Sequence, residues 1–522
     1  MRKRKLGFVL AAGLLVVACG VGNQGGTPTG PKQGGTLHVA IGIDPDTLDP
    51  AQQTTTTVSQ IVDMVDETLV TIDRNGKVVP QLATSWTNSS DGLSYTFTLR
   101  SGVKFHDGSD FNADAVKFSI DRLLSSSTLK AQPSVLRAIK ETQVVDPTHV
   151  KFTLGTPLAP FVAAMTQTTA SILSPKSVKV EGNSPASVQV PVGTGPYKWK
   201  ERVKGDHITL ARNDDYWGQK PGYAVQELKI VPDAASREAL VKAGQEDVIA
   251  LPPASDLDAL KNDSNVKVVL GTSDRTIQII INTTDSKVTA LQNPTVRQAL
   301  NYAVDKDAII QKVLFGAAVP LDAPMSKTLF GYCRVGTYPH DPNKAKQLLA
   351  QAGASGLSVK LMSPTGRYVQ DIQAAQAVAG YLRDVGVNVN GPATSDWPSY
   401  LATVNVKPDQ ASTDLHLLGW APPYLDASQQ MEQFYSPRFP PGGLATAYYK
   451  NPEVDQLIAK ANAEQDPGQR EKDYCSAQKL IWNDAPWIFL YNQKYPIVHS
   501  AKVTGVYTIP NEKFVTSWAS PA

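Results

Sequence analysis

With only three cysteines, the 522-residue chain cannot be a disulfide-stapled miniature fold or a cysteine-rich metal scaffold. Its seven histidines (His38, His106, His149, His207, His340, His416 and His499) are scattered, with no HExxH and no Cys/His cluster. No metal site and no cofactor are therefore expected. There is no GxSxG nucleophile elbow and no GxxxxGK phosphate loop. SxxK recurs, as at Ser101–Lys104, Ser264–Lys267 and Ser476–Lys479, but neither SDN nor KTG accompanies it. The pair His106–Asp107 reads as a hydrogen-bonded turn rather than an acid–base couple. A secreted hydrolase is thus a distant alternative, and the expectation is a protein that is not an enzyme. An excess of charge of one sign is also missing. The formal net charge is +2, so no basic face is available for nucleic acid.

The chain contains 42% hydrophobic and 19% charged residues, as soluble globular proteins do, and is long enough for two or three domains. Its one apolar run lies at the start. Arg2–Lys5 are basic and Leu6–Val17 apolar, the pattern of a signal peptide over residues 1–18 and too short to span a bilayer comfortably. Losing this segment takes four cations and no acid, moving the formal charge from +2 to −2. Val16-Val17-Ala18-Cys19 resembles a bacterial lipobox, which implies lipidation of Cys19. The stretch Gly20–Gly35 is rich in Gly, Thr and Pro, a flexible tether. Acyl chains would then be the sole membrane anchor, on the outer face of the cytoplasmic membrane. Cys333 and Cys475 remain, and export to an oxidising compartment favours a disulfide between them over two buried thiols.

Beyond residue 34, strand and helix patterns alternate. Leu37, Val39, Ile41 and Ile43 share one face of a strand, and Val58, Ile61, Val62 and Val65 one face of a helix. Asp341, Pro342 and Gly353 mark the start and stop of another helix. The segments ETLVTIDRNGKVVPQLATSW (67–86), DGLSYTFTLRSGVKFHDGSDFNADAVKFSIDRLL (91–124), PVGTGPYKWKE (191–201), NDDYWGQKP (213–221), NPTVRQALNYAVDKDAII (293–310) and DPNKAKQLLAQAG (341–353) occur in that order. This set resembles the family 5 extracellular solute-binding proteins of bacterial ABC importers, the dipeptide, oligopeptide and nickel binders. The resemblance spans roughly residues 34–500. It implies an α/β fold of the periplasmic-binding-protein type (type II, cluster C), a two-lobed flytrap with an inserted domain. Domain I would comprise residues 34–72, 193–279 and 498–522, domain II residues 73–192, and domain III residues 280–497. The implied partners are a small solute, a peptide first and a nickel chelate or oligosaccharide second, and the membrane permease. The protein is expected to be a monomer.

The stretch Asp414–Tyr435 is the expected ligand contact. Leu415, Leu417 and Leu418 form a short strand ending at Gly419-Trp420, and Pro422-Pro423 forces an extended turn carrying Tyr424 and Asp426. Trp420 and Tyr424 are expected as apolar walls and Asp426 as a counter-charge. Trp397 would be a further wall, Asn282 a polar group at the hinge and Thr55 a rim donor. For Trp397 core packing, for Asn282 a turn role, and for Asp426 helix capping are the competing readings. In peptide-binding relatives an aspartate four residues after the glycine commonly meets the ligand amine. That position is Pro423 here, so either Asp426 substitutes or the ligand lacks a free amine.

Overall fold

The computed structural model describes residues 34–52, 55–125, 135–179 and 187–522. The signal segment and Cys19 lie outside the described residues. One mixed sheet of eleven strands organises the molecule. Its order from one edge is Asn388–Ser395, Ser358–Pro364, Leu415–Trp420, Val266–Ile281, Trp487–Ser500, Val248–Ala250, Thr36–Ile41, Val225–Ile230, His207–Arg212 and Tyr197–Val203, with Ala318–Pro320 also pairing Trp487–Ser500. The two central antiparallel strands, Val266–Ile281 and Trp487–Ser500, are 16 and 14 residues long and run through both halves of the sheet. Parallel pairs lie towards the flanks, where helices cover the strands.

Two apolar faces enclose the half built on Leu415–Trp420. Ile277, Ile279 and Ile281 point into one cluster, with Leu415, Leu417 and the helix Asp371–Asp384. Ile280, Leu418, Trp487 and Phe489 point into the opposite one, as strand alternation requires. A separate cluster around Leu37, Val39, Tyr197 and Ile497 fills the other half. A third unit is an antiparallel sheet of four strands, Ala83–Asn88, Ser94–Leu99, His149–Leu154 and Ile139–Asp146, covered by the helix Ala113–Ser125. Phe97, Phe152 and Phe161 form its aromatic centre.

The long strands are interrupted where the halves meet. Between the pairs Thr272–Lys494 and Thr276–Asn492 the register shifts, so Ser273, Asp274 and Arg275 bulge opposite Gln493. Asn492 stitches the bulge by donating from Nδ2 to the carbonyls of Ser273 (2.8 Å) and Arg275 (2.7 Å). The Ser273 hydroxyl donates to the Gln493 carbonyl (2.7 Å). These bonds satisfy backbone groups that the broken ladder would leave unpaired. Cys333 and Cys475 form a disulfide with Cα atoms 5.2 Å apart, tying a long loop to the helix Pro467–Asp484.

Candidate functional site

Where the sheet halves meet, a cavity of about 1010 Å3 opens. Both long strands contribute to it, through Arg275, Gln493 and Tyr495. The N-terminal half adds Ile43, Thr55 and Leu251, the four-stranded unit Gln167 and Thr168, and the C-terminal hairpin Asn511, Glu512 and Lys513. Further wall comes from the loop 366–369, from Trp397, from the run Leu418–Pro423 and from Leu444 and Thr446.

The arginine loop is built by one carboxylate. Asp371 opens a helix and accepts from the N–H groups of Gly366 (3.3 Å), Arg367 (2.7 Å) and Tyr368 (3.1 Å). Tyr368 then locks the loop to the sheet, its hydroxyl donating to the Gly419 carbonyl (3.0 Å). Only glycine fits there. A Cβ on residue 419 would lie 2.7 Å from the Tyr368 ring and 2.5 Å from Ile277 Cδ1. Held this way, the Arg367 guanidinium lies 4.9 Å from the Trp397 ring centre and 5.5 Å from that of Tyr368. Among the described residues it has no carboxylate within ion-pairing distance.

The other charges of the lining are paired. Glu512 is held two-pronged by Arg275, through Nε (2.8 Å) and Nη2. Lys513 is bound by Asp63 and donates to Thr168 Oγ1 (2.9 Å). Glu512 is the one carboxylate among the described lining residues, and no histidine or cysteine lines the cavity there. Three lining groups carry buried polar atoms without a protein partner: Trp420 Nε1, Gln493 Oε1 and Asn511 Oδ1.

The residues singled out from the sequence divide sharply. Thr55, Trp397 and Trp420 line the cavity. Thr55 also caps the helix Thr56–Val62, its Oγ1 accepting from Val58 N–H (3.4 Å). Trp397 stacks on Tyr400 at 5.5 Å while facing Arg367. Asn282, Tyr424 and Asp426 are turned away from it. Asn282 closes a turn, with Oδ1 accepting from Thr284 N–H (3.1 Å). Tyr424 is buried in the core of the four-stranded unit, its hydroxyl 3.2 Å from Ser428 Oγ. Asp426, the expected counter-charge, instead accepts from Arg470 Nη1 (2.9 Å) and Nη2 (2.7 Å) and caps the next helix through Ser428 N–H (2.9 Å). The Pro-Pro turn ends the cavity wall, and the chain dives into the core beyond it. His106 is bonded through Nε2 to Gly195 O (2.9 Å), and burial pushes its imidazole down to about 4. It joins two loops and faces no cavity. Sequence reading missed Arg367, Tyr368, Arg275, Glu512, Gln493, Asn511 and Lys513. The one local signal was Gly366-Arg367-Tyr368, a polar turn directly ahead of an amphipathic helix.

Comparison with known proteins agrees with this architecture. The family described as "Bacterial extracellular solute-binding proteins, family 5 Middle" matches residues 77–440. The glutathione-binding protein GsiB of Pectobacterium atrosepticum is 31% identical over 481 residues, 91% of this chain and 92% of that protein. Among solved structures, the periplasmic binding protein DppA of Helicobacter pylori in complex with the peptide STSA superposes with a TM-score of 0.78 at 27% identity, covering 94% of this chain and 98% of that one. NikZ of Campylobacter jejuni in complex with Ni(L-His) gives a TM-score of 0.73 at 25% identity, covering 91% and 96%. The fold is therefore the two-lobed α/β periplasmic-binding-protein fold with an extra domain, and the chain belongs to the family 5 bacterial extracellular solute-binding proteins, as the non-enzymatic substrate-binding component of an ABC importer.

Proposed function

We propose that the protein captures a small peptide-derived solute carrying more carboxylates than ammonium groups, of the glutathione kind, and hands it to its permease. The observation that carries this reading is the unpaired Arg367 on its aromatic platform, in a cavity whose lining carboxylate, Glu512, is held by Arg275. A guanidinium in that position is a two-pronged receptor for a ligand carboxylate. Pro423 stands where peptide-binding relatives carry an acid for the ligand amine, and Asp426 is tied to Arg470, so an ammonium group finds no free partner. A solute with surplus negative charge suits this lining better than a neutral dipeptide. The similarity to glutathione-binding proteins supports the same class. Trp397 and Trp420 then serve as walls and Thr55 as a rim group. Binding shifts a two-state equilibrium, in which the halves close about the bulge in the long strands. The division into domains I (34–72, 193–279, 498–522), II (73–192) and III (280–497) is part of this reading, supported by the separate apolar clusters. So are lipidation at Cys19 and tethering of the domain outside the membrane.

A thermal-shift titration of the purified protein tests it. Glutathione should raise the melting temperature more than Met-Leu does, by mass action on the folded form. Arg367→Gln should weaken glutathione by about 2 kcal/mol, roughly thirtyfold, with the ligand-free melting temperature unchanged. A larger response to a nickel–histidine complex or a sugar would keep the transport role and replace the solute class. An unaltered response in the variant would remove Arg367 from the site.

A further inference from the structure

Large apolar side chains are rarely left in water together without a use. Three of them, Ile43, Leu251 and Leu444, are 54%, 36% and 40% exposed, and all three line the same cavity. Single exposed aliphatic residues carry no message, but convergence on one opening does. Leu251 adds a second signal. Its φ is +51°, a left-handed conformation that a bulky side chain adopts only under constraint. The constraint is visible. Its N–H donates to the Pro496 carbonyl (2.9 Å), its carbonyl accepts from Arg237 Nη2 (2.8 Å), and Pro252-Pro253 follow. The backbone is thus held in a costly shape that leaves an isobutyl group partly bare at the cavity. Ile43 and Leu251 follow the strands Thr36–Ile41 and Val248–Ala250, whereas Leu444 belongs to the loop after Pro440-Pro441-Gly442-Gly443 on the other side. Apolar residues therefore reach the cavity from both halves. The same cavity is lined by Arg367, which lies against Trp397 and Tyr368.

Resting on the acidic-peptide reading above, we propose that the preferred solute is amphipathic: an acidic peptide bearing a bulky apolar substituent, seated with its carboxylate at Arg367 and its apolar group between Ile43, Leu251 and Leu444. Those side chains are exposed in the structure, and an aliphatic or aryl group on the ligand would cover them.

Calorimetric titration of the purified protein with glutathione and S-hexylglutathione separates the possibilities, because the two share their backbone charges. The expected result is at least tenfold tighter binding of the S-hexyl compound, with a more negative heat-capacity change. In the double variant Ile43→Asn/Leu444→Asn the ratio between the two ligands should collapse towards one, and circular dichroism should confirm the fold. Equal affinities in the wild-type protein would overturn the inference while leaving the acidic-peptide reading in place. Binding of neither compound by folded protein would overturn both.

Discussion

Two arginine–carboxylate pairs, alike in chemistry and both buried, differ in what lies beside them. Asp426 and Arg470 are both buried, and the guanidinium is used within one region, by Asp426 and by the Tyr474 hydroxyl. Arg470 also donates from Nε to the Ala461 carbonyl (2.9 Å), and its guanidinium lies 4.8 Å from the Phe330 ring centre. Glu512 and Arg275 face the cavity, and they join the C-terminal hairpin to the bulge in the long strands, 237 residues apart in sequence. Next to them Asp274 is buried with neither carboxylate oxygen bonded. The first pair is closed by its surroundings. The second is buried as well, but it stands where the halves of the sheet meet and lines the cavity. Location, not pairing geometry, separates a structural ion pair from one that can respond to a solute.

The largest effect should come from breaking the closed pair. Arg470→Met leaves a buried carboxylate without a counter-charge and should cost about 3–5 kcal/mol in urea unfolding, with part of the loss recovered in Arg470→Met/Asp426→Asn. Arg275→Met should cost less, about 1–3 kcal/mol, because Glu512 borders the cavity and a small shift of its side chain would bring it to water. It should also change ligand affinity, which the Arg470 variant should not do once folded. Equal stability losses at the two sites would show that the cavity offers Glu512 no relief.

Acid should sharpen the same contrast at a second sealed group. His416 lies on the strand Leu415–Trp420, with Nε2 3.0 Å from Thr446 Oγ1 and the Tyr400 ring packed against it. Burial alone pushes its imidazole down to about 3. A depressed folded-state value means the stabilisation is present above the unfolded value near 6.5 and is lost progressively as the pH falls from there to about 3. The wild-type protein should therefore lose roughly 3 kcal/mol more between pH 7 and pH 4 than His416→Gln, whose side chain does not titrate. Urea midpoints at the two pH values measure this. Parallel curves for the two proteins would mean that water reaches the imidazole.

Much of this architecture is legible in the sequence because it is written in local periodicity. The alternation Leu37, Val39, Ile41 and the start signal at Asp341 each describe their own element, and the structure has a strand or a helix start at each. The cavity is only half legible. Trp420 and Trp397 stood out as rings beside turns. Asp426 stood out for the same reason but is satisfied by Arg470, 44 residues away, and nothing local announces that partner. Arg367 was overlooked for the converse reason. An arginine in a polar turn looks ordinary until Asp371 and Tyr368 are seen fixing the loop over two aromatic rings. Which carboxylate is taken and which cation is free is a property of long-range pairing.

The smallest and most discriminating test lies beside the open pair. Burial, and then the charge of Glu512, hold the Asp274 carboxyl well above its usual range, while Arg275 pulls the other way. Its N–H is bonded to the Pro510 carbonyl (2.7 Å), so the backbone is anchored and only the carboxyl lacks partners. For an acid whose folded-state value is raised, the stabilisation is complete below the unfolded value near 3.8 and is lost as the pH rises through the folded value. Asp274→Asn, which keeps the shape and drops the proton, should thus be neutral near pH 4 and stabilising by about 1 kcal/mol at pH 8. The sign is opposite to that of His416, so one pH series on both variants separates the groups. If Asp274→Asn is instead destabilising at pH 8, the carboxylate is ionised and useful there, and the bulge carries a working charge that Arg275 shares between Asp274 and Glu512.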